Sequence, residues 1–191
     1  MRRIVFDIET KNFFHDVGAY DPTKLDISVV GVYDSEKDTY KAYLEEELSS
    51  LWPVLEQADM LIGYNSDHFD IPLLNKYYQG DLSRLKSIDL LKEIKNSIGK
   101  RLRLDSVAEA TLGLHKTGQG ADAMNWWKQG EIEKVKNYCL HDVKITKELY
   151  EYALSNNKLF YMDFSSKVGI PLNTKTWEEK EDTSLTHTLP F

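Results

Sequence analysis

Only one cysteine, Cys139, occurs in the 191 residues. No disulfide can close within the chain, and the composition suits a reducing compartment. No apolar run approaches the ~20 residues that a membrane-spanning helix needs. Met1-Arg2-Arg3 leads into a short apolar run that holds two acids, so the amino terminus does not read as a signal peptide. A soluble cytoplasmic protein is the expectation. A surplus of positive charge is also missing: 24 Lys and Arg stand against 31 Asp and Glu, for a net charge of −7. That excludes a protein whose affinity rests on a broad basic surface. It does not exclude nucleic acid, because a metal ion brings its own positive charge to a phosphate. Cysteine and histidine show no zinc-ligand spacing, and no internal repeat or low-complexity tract is present.

Against this background Asp7 and Glu9 stand out. They fall in Arg3-Ile-Val-Phe-Asp-Ile-Glu-Thr10, where Ile4, Val5, Phe6 and Ile8 read as a strand buried on both faces. Side chains alternate along a strand, so the two acids share a face, with Cα atoms roughly 7 Å apart. Burying two like charges side by side is costly unless a cation neutralises them, and a divalent metal ion does so most simply.

Further strands are expected over Ile27–Tyr33 and Thr39–Leu44, joined as a hairpin by the turn Asp34-Ser-Glu-Lys-Asp38. Leu48, Leu51, Val54 and Leu55 place a helix over Glu45–Gln57, with Pro53 implying a kink or a late start. Met60–Ile62 is a short buried strand ending at Gly63-Tyr64-Asn65. A helix is expected from Asp70 to about Tyr78, a strand over Ser87–Asp89 and a helix from Leu90 to about Ser97. Asp105 or Ser106 can cap a helix that runs through Thr111 and ends at Gly113. Glu131 to about Asn156 is the longest helical pattern. The order is α/β, and the hairpin makes the sheet mixed. Leu159–Asp163 and Val168–Leu172 read as a second, small hairpin. The expected organisation is one domain over 1–156, a hairpin extension over 157–177 and a flexible tail over 178–191.

Three more positions break local rules. Asp70 opens a helix just after a buried strand, where loops carry function; an acid that stabilises the helix dipole is the plainer alternative. Asp142 interrupts the stripe Val135, Tyr138, Ile145 and Leu149, otherwise the core face of the long helix; pairing with Lys144 or another cation is its alternative. Tyr138 lies four residues before Asp142, about 6 Å along the axis on the same face. Its hydroxyl can orient a water, or it can be a satisfied core aromatic. Asp7, Glu9, Asp70 and Asp142 together supply about the number of oxygen ligands that two divalent ions ~3.5–4 Å apart need, and carboxylates suit Mg²⁺ or Mn²⁺.

Phe6-Asp-Ile-Glu-Thr10, Asn65-Ser-Asp-His-Phe-Asp70 and Tyr138-Cys-Leu-His-Asp142 resemble, in order and spacing, the three motifs of the DEDD superfamily of 3′–5′ exonucleases. These are Asp-x-Glu, Asn-x-x-x-Phe-Asp and Tyr-x-x-x-Asp. The likeness is to the proofreading exonuclease domain of family B DNA polymerases and its free-standing relatives, and it covers residues 1–155. Ser87–Leu90 and Leu104–Gly113, the latter followed by Lys116, also resemble family segments. His-type members carry a His five residues before the last Asp. That position is Asn137 here, so the chain resembles the Tyr type, and His141 points about 100° away from Asp142 on the helix. The resemblance implies an RNase H-like fold with a mixed β-sheet flanked by helices. It implies that Asp7, Glu9, Asp70 and Asp142 hold two Mg²⁺ or Mn²⁺ ions and that Tyr138 positions the attacking water. It implies release of nucleoside 5′-monophosphates from the 3′ end of single-stranded DNA or RNA. Asn65 and Phe69 match family positions near the substrate strand.

Other features have plainer readings beside functional ones. Lys92, Lys95, Lys100, Arg101 and Arg103 are the densest basic run, a track for a strand backbone or the solvated side of a helix and loop. The loop Lys116-Thr-Gly-Gln-Gly120 lacks the ending of a P-loop and reads as a connector. Trp126 and Trp127 can stack on bases or pack in the core. Leu189-Pro190-Phe191 closes a polar tail and is a candidate for docking a protein partner. It is loosely similar to the clamp-binding peptides of bacterial replication proteins, without their leading Gln. Two rival functions remain: a non-catalytic nucleic-acid-binding module on the same fold, and a two-metal structure-specific endonuclease.

Overall fold

The computed structural model describes residues 1–114 and 120–179. The main sheet has five strands: β1 (Arg3–Thr10), β2 (Ile27–Asp34), β3 (Thr39–Leu44), β4 (Met60–Gly63) and β5 (Ser87–Asp89). Their spatial order is β3-β2-β1-β4-β5. β1, β2 and β3 pair antiparallel, whereas β4 and β5 run parallel to β1. The antiparallel part follows from the short turn between β2 and β3, where Asp38 takes φ 50° and accepts the Tyr33 hydroxyl at 2.8 Å. The parallel strands each follow a helix, α2 (Leu48–Glu56) before β4 and α3 (Asp70–Asn75) before β5.

β1 lies in the middle of the sheet, which is what its unbroken apolar run requires. Ile4, Phe6 and Ile8 point to one face and pack with Leu51 and Leu55 of α2 and Ile71 and Leu74 of α3. Val5 points to the other face, where Ile62 of β4 and Ile88 of β5 meet three helices. These are α4 (Leu90–Ile98), α5 (Leu104–Leu112) and the long α7 (Ile132–Asn156). An antiparallel pair, β6 (Lys158–Asp163) and β7 (Ser166–Pro171), adds Leu159, Tyr161 and Ile170 to that same core. The result is the α/β architecture expected, a mixed sheet flanked by helices. No helix among the described residues is long and apolar enough to cross a membrane.

Several boundaries differ from expectation. The helix from Asp70 is regular only to Asn75; the Tyr77 and Tyr78 N–H groups still reach the Leu74 carbonyl at 2.9 and 3.0 Å, so the segment closes as a turn. α5 begins at Leu104, with extended Arg103 as its N-cap, so neither Asp105 nor Ser106 caps it. Glu45–Glu47 form a 3₁₀ turn and α2 starts at Leu48, the late start that Pro53 implied. Two helices were not anticipated. α1 (Phe14–Val17) is a single turn, too short to show a period, and α6 (Gly120–Lys128) is short and opens on a glycine that reads as part of a connector. α6 carries Trp126 and Trp127. The connector over 115–119 and the chain from residue 180, with Leu189, Pro190 and Phe191, lie outside the described residues.

α7 crosses close above β1 and β2 because Gly31, in the middle of β2, has no side chain. A Cβ there would stand 2.9 Å from the Cys139 Sγ and 3.0 Å from the Val143 Cγ2. The Cys139 thiol fills the space, fully buried, and accepts the Gly31 N–H at 3.1 Å. Gly31→Ala is therefore expected to destabilise the protein by about 1–3 kcal/mol, measured as a lower urea midpoint, and Cys139→Ala in the same chain to restore part of the loss. An unchanged midpoint in Gly31→Ala would show that α7 has room to move.

Candidate metal centre

Because β1, β4 and β5 are parallel, their carboxyl ends share one edge of the sheet, the edge where open α/β sheets place their sites. Glu9 lies near the end of β1, Asp89 ends β5, and the loop from β4 to Asp70 starts there too. Asp7 stands opposite Gly31 and Glu9 opposite Val29, and a bulge between Glu9 and Thr10 breaks the ladder just beyond the acids. Alternation puts Asp7 and Glu9 on the face of Val5, under α7. Asp142 comes from α7 to meet them, and the carboxylates of Asp7, Glu9 and Asp142 each bring one oxygen within 4.8 Å of the others. Glu9 is buried; Asp7 and Asp142 are half-buried.

Asp70 is the first residue of α3 and only 4% exposed. It is not one of the three that meet within 4.8 Å, but its charge acts on both Asp7 and Glu9. The Ile8 N–H acts on its carboxylate and lowers it, which places the start of α3 beside β1 between the two acids in sequence. Burial, then Asp142, then Asp70 push Asp7 and Glu9 well above the ordinary carboxylate range. Asp70 itself is pushed up to about 8, by burial first and then by Asp89. Among the described residues no salt bridge joins Asp7, Glu9 or Asp70 to a cation. Asp7, Glu9 and Asp142 offer an all-oxygen donor set, and Asp7 and Glu9 have no cation beside them among the described residues; such a set fits a hard divalent ion, so the three form a candidate metal site.

Tyr138 is 8% exposed and sits edge-on to Trp126, with ring centres 5.9 Å apart. Burial, with the charges of Asp142, Glu9 and Asp7, raises its hydroxyl, which stays neutral and able both to donate and to accept. Trp126, Lys134, Asn137 and His141 complete with it a mostly apolar cavity of about 320 Å³. Trp126 therefore both braces Tyr138 and walls that space. Asn65 and Phe69 lie outside the three-carboxylate cluster. Asn65 adopts φ 67° and its amide oxygen accepts Arg101 Nη2 at 2.6 Å. Phe69, half-buried, packs edge-on against Phe14 at 6.0 Å. Lys144 pairs with Glu148 at 3.9 Å.

Two contributors escaped the reading of the sequence. Cys139 joins α7 to β1, its sulphur 3.3 Å from the Asp7 carbonyl oxygen and 3.7 Å from Asp7 Oδ2. The available signal was Gly31, since a glycine inside an apolar strand marks a close approach. Asp89 is buried and accepts the N–H groups of Asn65, Asp67, Leu91 and Lys92 at 2.7, 3.2, 3.0 and 3.3 Å. Its signal was an acid directly before a helix.

A mixed sheet of this strand order, flanked by helices and carrying acids at the end of its central strand, defines an RNase H-like α/β protein. The chain belongs to the RNase_H superfamily, whose family model matches residues 4–154. Among solved structures it is similar to the family B DNA polymerase from the hyperthermophilic archaeon Pyrobaculum calidifontis, with a TM-score of 0.63 and 21% identity. The match covers 81% of this chain and 24% of the polymerase chain, so this chain spans about a quarter of that protein's length. No curated protein matches.

The raised carboxylates fix a sign. At these groups the folded protein holds protons that the unfolded chain releases, so without a divalent ion their contribution to stability is full below the unfolded carboxylate range and is lost as pH rises through their raised values. The window runs from the unfolded carboxylate range, about 4, to the Asp70 value of about 8. Urea unfolding of metal-free protein is expected to show stability falling across it, by up to about 1.4 kcal/mol per pH unit for each proton the folded protein retains. Glu9→Gln is expected to flatten the fall, and Mg²⁺ or Mn²⁺ to reverse it. Stability that rises over the same window would contradict the assignment.

Proposed function

We propose that this protein is a two-metal-dependent 3′–5′ exonuclease of the Tyr type that trims single-stranded DNA or RNA ends to nucleoside 5′-monophosphates. The observation that carries the reading is the meeting of Asp7, Glu9 and Asp142 within 4.8 Å, with Asp70 close enough to load them electrostatically. The order and spacing of the three sequence motifs support it, as does membership of the RNase_H superfamily. Residues 1–156 are read as the catalytic unit and 157–177 as an extension whose hairpin packs on it.

Asp7, Glu9, Asp70 and Asp142 would hold two Mg²⁺ or Mn²⁺ ions. When bound, such a pair polarises the scissile phosphate and stabilises charge on the attacking and leaving oxygens. Tyr138 orients the water. Its hydroxyl, kept neutral by the neighbouring carboxylates, holds a water through one hydrogen bond but does not serve as the base. Water attacks phosphorus, the P–O3′ bond breaks, and the departing 3′ oxygen leaves with a proton while the phosphate stays on the released nucleotide. Cys139 acts on the position of Asp7 through its contact with that residue's main chain and carboxylate.

A labelled single strand incubated with Mg²⁺ or Mn²⁺ tests the proposal. Stepwise release of mononucleotides from a free 3′ end is expected, and a blocked 3′ end should stop it. Asp7→Ala or Asp142→Ala should lower turnover by about 10²–10³-fold or more. Tyr138→Phe should lower it by about 10–100-fold with metal affinity retained. Cleavage despite the block would make the protein an endonuclease, and full activity in Asp142→Ala would remove the centre from the chemistry.

A further inference from the structure

We propose that the cavity between the Asn65 turn and α4 is a seat for the phosphodiester backbone of a single-stranded nucleic acid, held by Arg101 and Lys95. The inference deepens the exonuclease reading and rests on it for the identity of the polymer. The cavity measures about 290 Å³, and its wall includes Asn65, Asp67, Asp89, Lys92, Lys95 and Arg101. Its two carboxylates are already satisfied. Asp89 accepts four main-chain N–H groups. Asp67 is held by Lys92 Nζ at 2.6 Å and by the Ser87 hydroxyl at 2.7 Å.

The cations are not equally spent. Among the described residues Arg101 binds only the neutral amide oxygen of Asn65, at 2.6 Å, which leaves most of its five N–H donors for an incoming oxyanion. Lys95 is exposed, one turn along α4 from Lys92, and makes no ion pair among the described residues. Three cations thus face two occupied acids, in a chain whose net charge is −7. A polyanion approaching a cluster of carboxylates is repelled unless positive charge is concentrated nearby, and this cavity concentrates it.

Position ties the cavity to the metal centre. Asn65 lies on its wall and Asp70 lies five residues on, and the turn between them is closed by the Phe69 N–H on the Asn65 carbonyl at 3.0 Å. Asp89 binds the Asn65 N–H and also acts on Asp70. A strand seated against Arg101 and Lys95 therefore lies one short, pinned turn from the carboxylates. Placing its phosphates there fixes which bond reaches the centre, as a backbone contact positions without reading sequence.

The test measures binding of labelled oligothymidylate and oligouridylate over a series of salt concentrations, with KM for trimming measured in Mn²⁺. Each phosphate contact removed should flatten the slope of log affinity against log salt by about 0.7. Arg101→Gln and Lys95→Gln should each show this, and the double variant should lose affinity by about tenfold at moderate salt. Arg101→Lys should keep the slope, because the charge remains, and Lys24→Gln, on an exposed turn elsewhere, should match wild type. A double variant with wild-type slope and KM overturns the seat while leaving the exonuclease reading intact. Wild-type protein that binds with the expected slope but releases no mononucleotides overturns the exonuclease reading and leaves the seat. Wild-type protein that neither binds nor trims overturns both.

Discussion

How closely α7 lies against the two central strands decides everything at the acidic edge. Asp142 and Tyr138 are useful only if their helix comes down onto β1, and the missing side chain at Gly31 permits that approach. The vacated volume is not empty: Cys139 occupies it and links the helix to both strands, to Gly31 through its N–H and to Asp7 through its carbonyl. Protein interiors are close-packed, so a change of one methyl group at this contact is felt as displacement of the helix. The single cysteine of the chain is thus explained by packing and by a weak hydrogen bond to an acid that the metal reading also uses. Its thiol is pushed well up by burial and by Asp7, so it remains a neutral donor rather than a metal-binding thiolate.

The acids themselves work against the fold. Of the three carboxylates within 4.8 Å, Asp142 raises both Asp7 and Glu9, and among the described residues no cation pairs with Asp7 or Glu9. Stability spent in this way marks a site where local rules give way to function. The surrounding core supplies the compensation. β1 is clamped between two apolar layers, with Ile4, Phe6 and Ile8 on one side and Val5 on the other. The strand that carries the electrostatic fault is therefore held by apolar packing on both faces.

Much of this was legible in the residues. A run of consecutive apolar positions interrupted at Asp7 and Glu9 placed the central strand and the shared face of the acids, because strand alternation allows no other arrangement. The stripe on the long helix placed Asp142 on the core side for the same kind of reason. What could not be read was distance across elements. Gly31 and Cys139 are far apart in sequence; a glycine inside an apolar strand signals a close approach, but nothing local says which residue fills it. α6 is short and opens on Gly120, which reads as a breaker, and α5 starts at Leu104, which packs against the core, rather than at Asp105 or Ser106. The basic run over 92–103 was visible as charge, but only the fold separates Lys92, already paired with Asp67, from Lys95 and Arg101.

Two buried acids of this sheet edge, Asp89 and Asp70, divide by what satisfies them, and this division is stronger than their sequence context. Asp89 and Asp70 both open helices after buried strands, and nothing local distinguishes them. In the fold Asp89 accepts four N–H groups, so its charge is spread over fixed main-chain dipoles and it has little left to offer an ion. The N–H groups of Asp70 itself and of Ile8 act to lower Asp70, and it is still driven up to about 8. An acid that remains so poorly satisfied retains a reason to bind a cation; one that is saturated does not. The same saturated Asp89 holds the Asn65 turn in place, so its structural role and the ligand role proposed for Asp70 are complementary. One carboxylate fixes the loop, and the other, five residues along that loop from Asn65, is thereby aimed at Asp7 and Glu9.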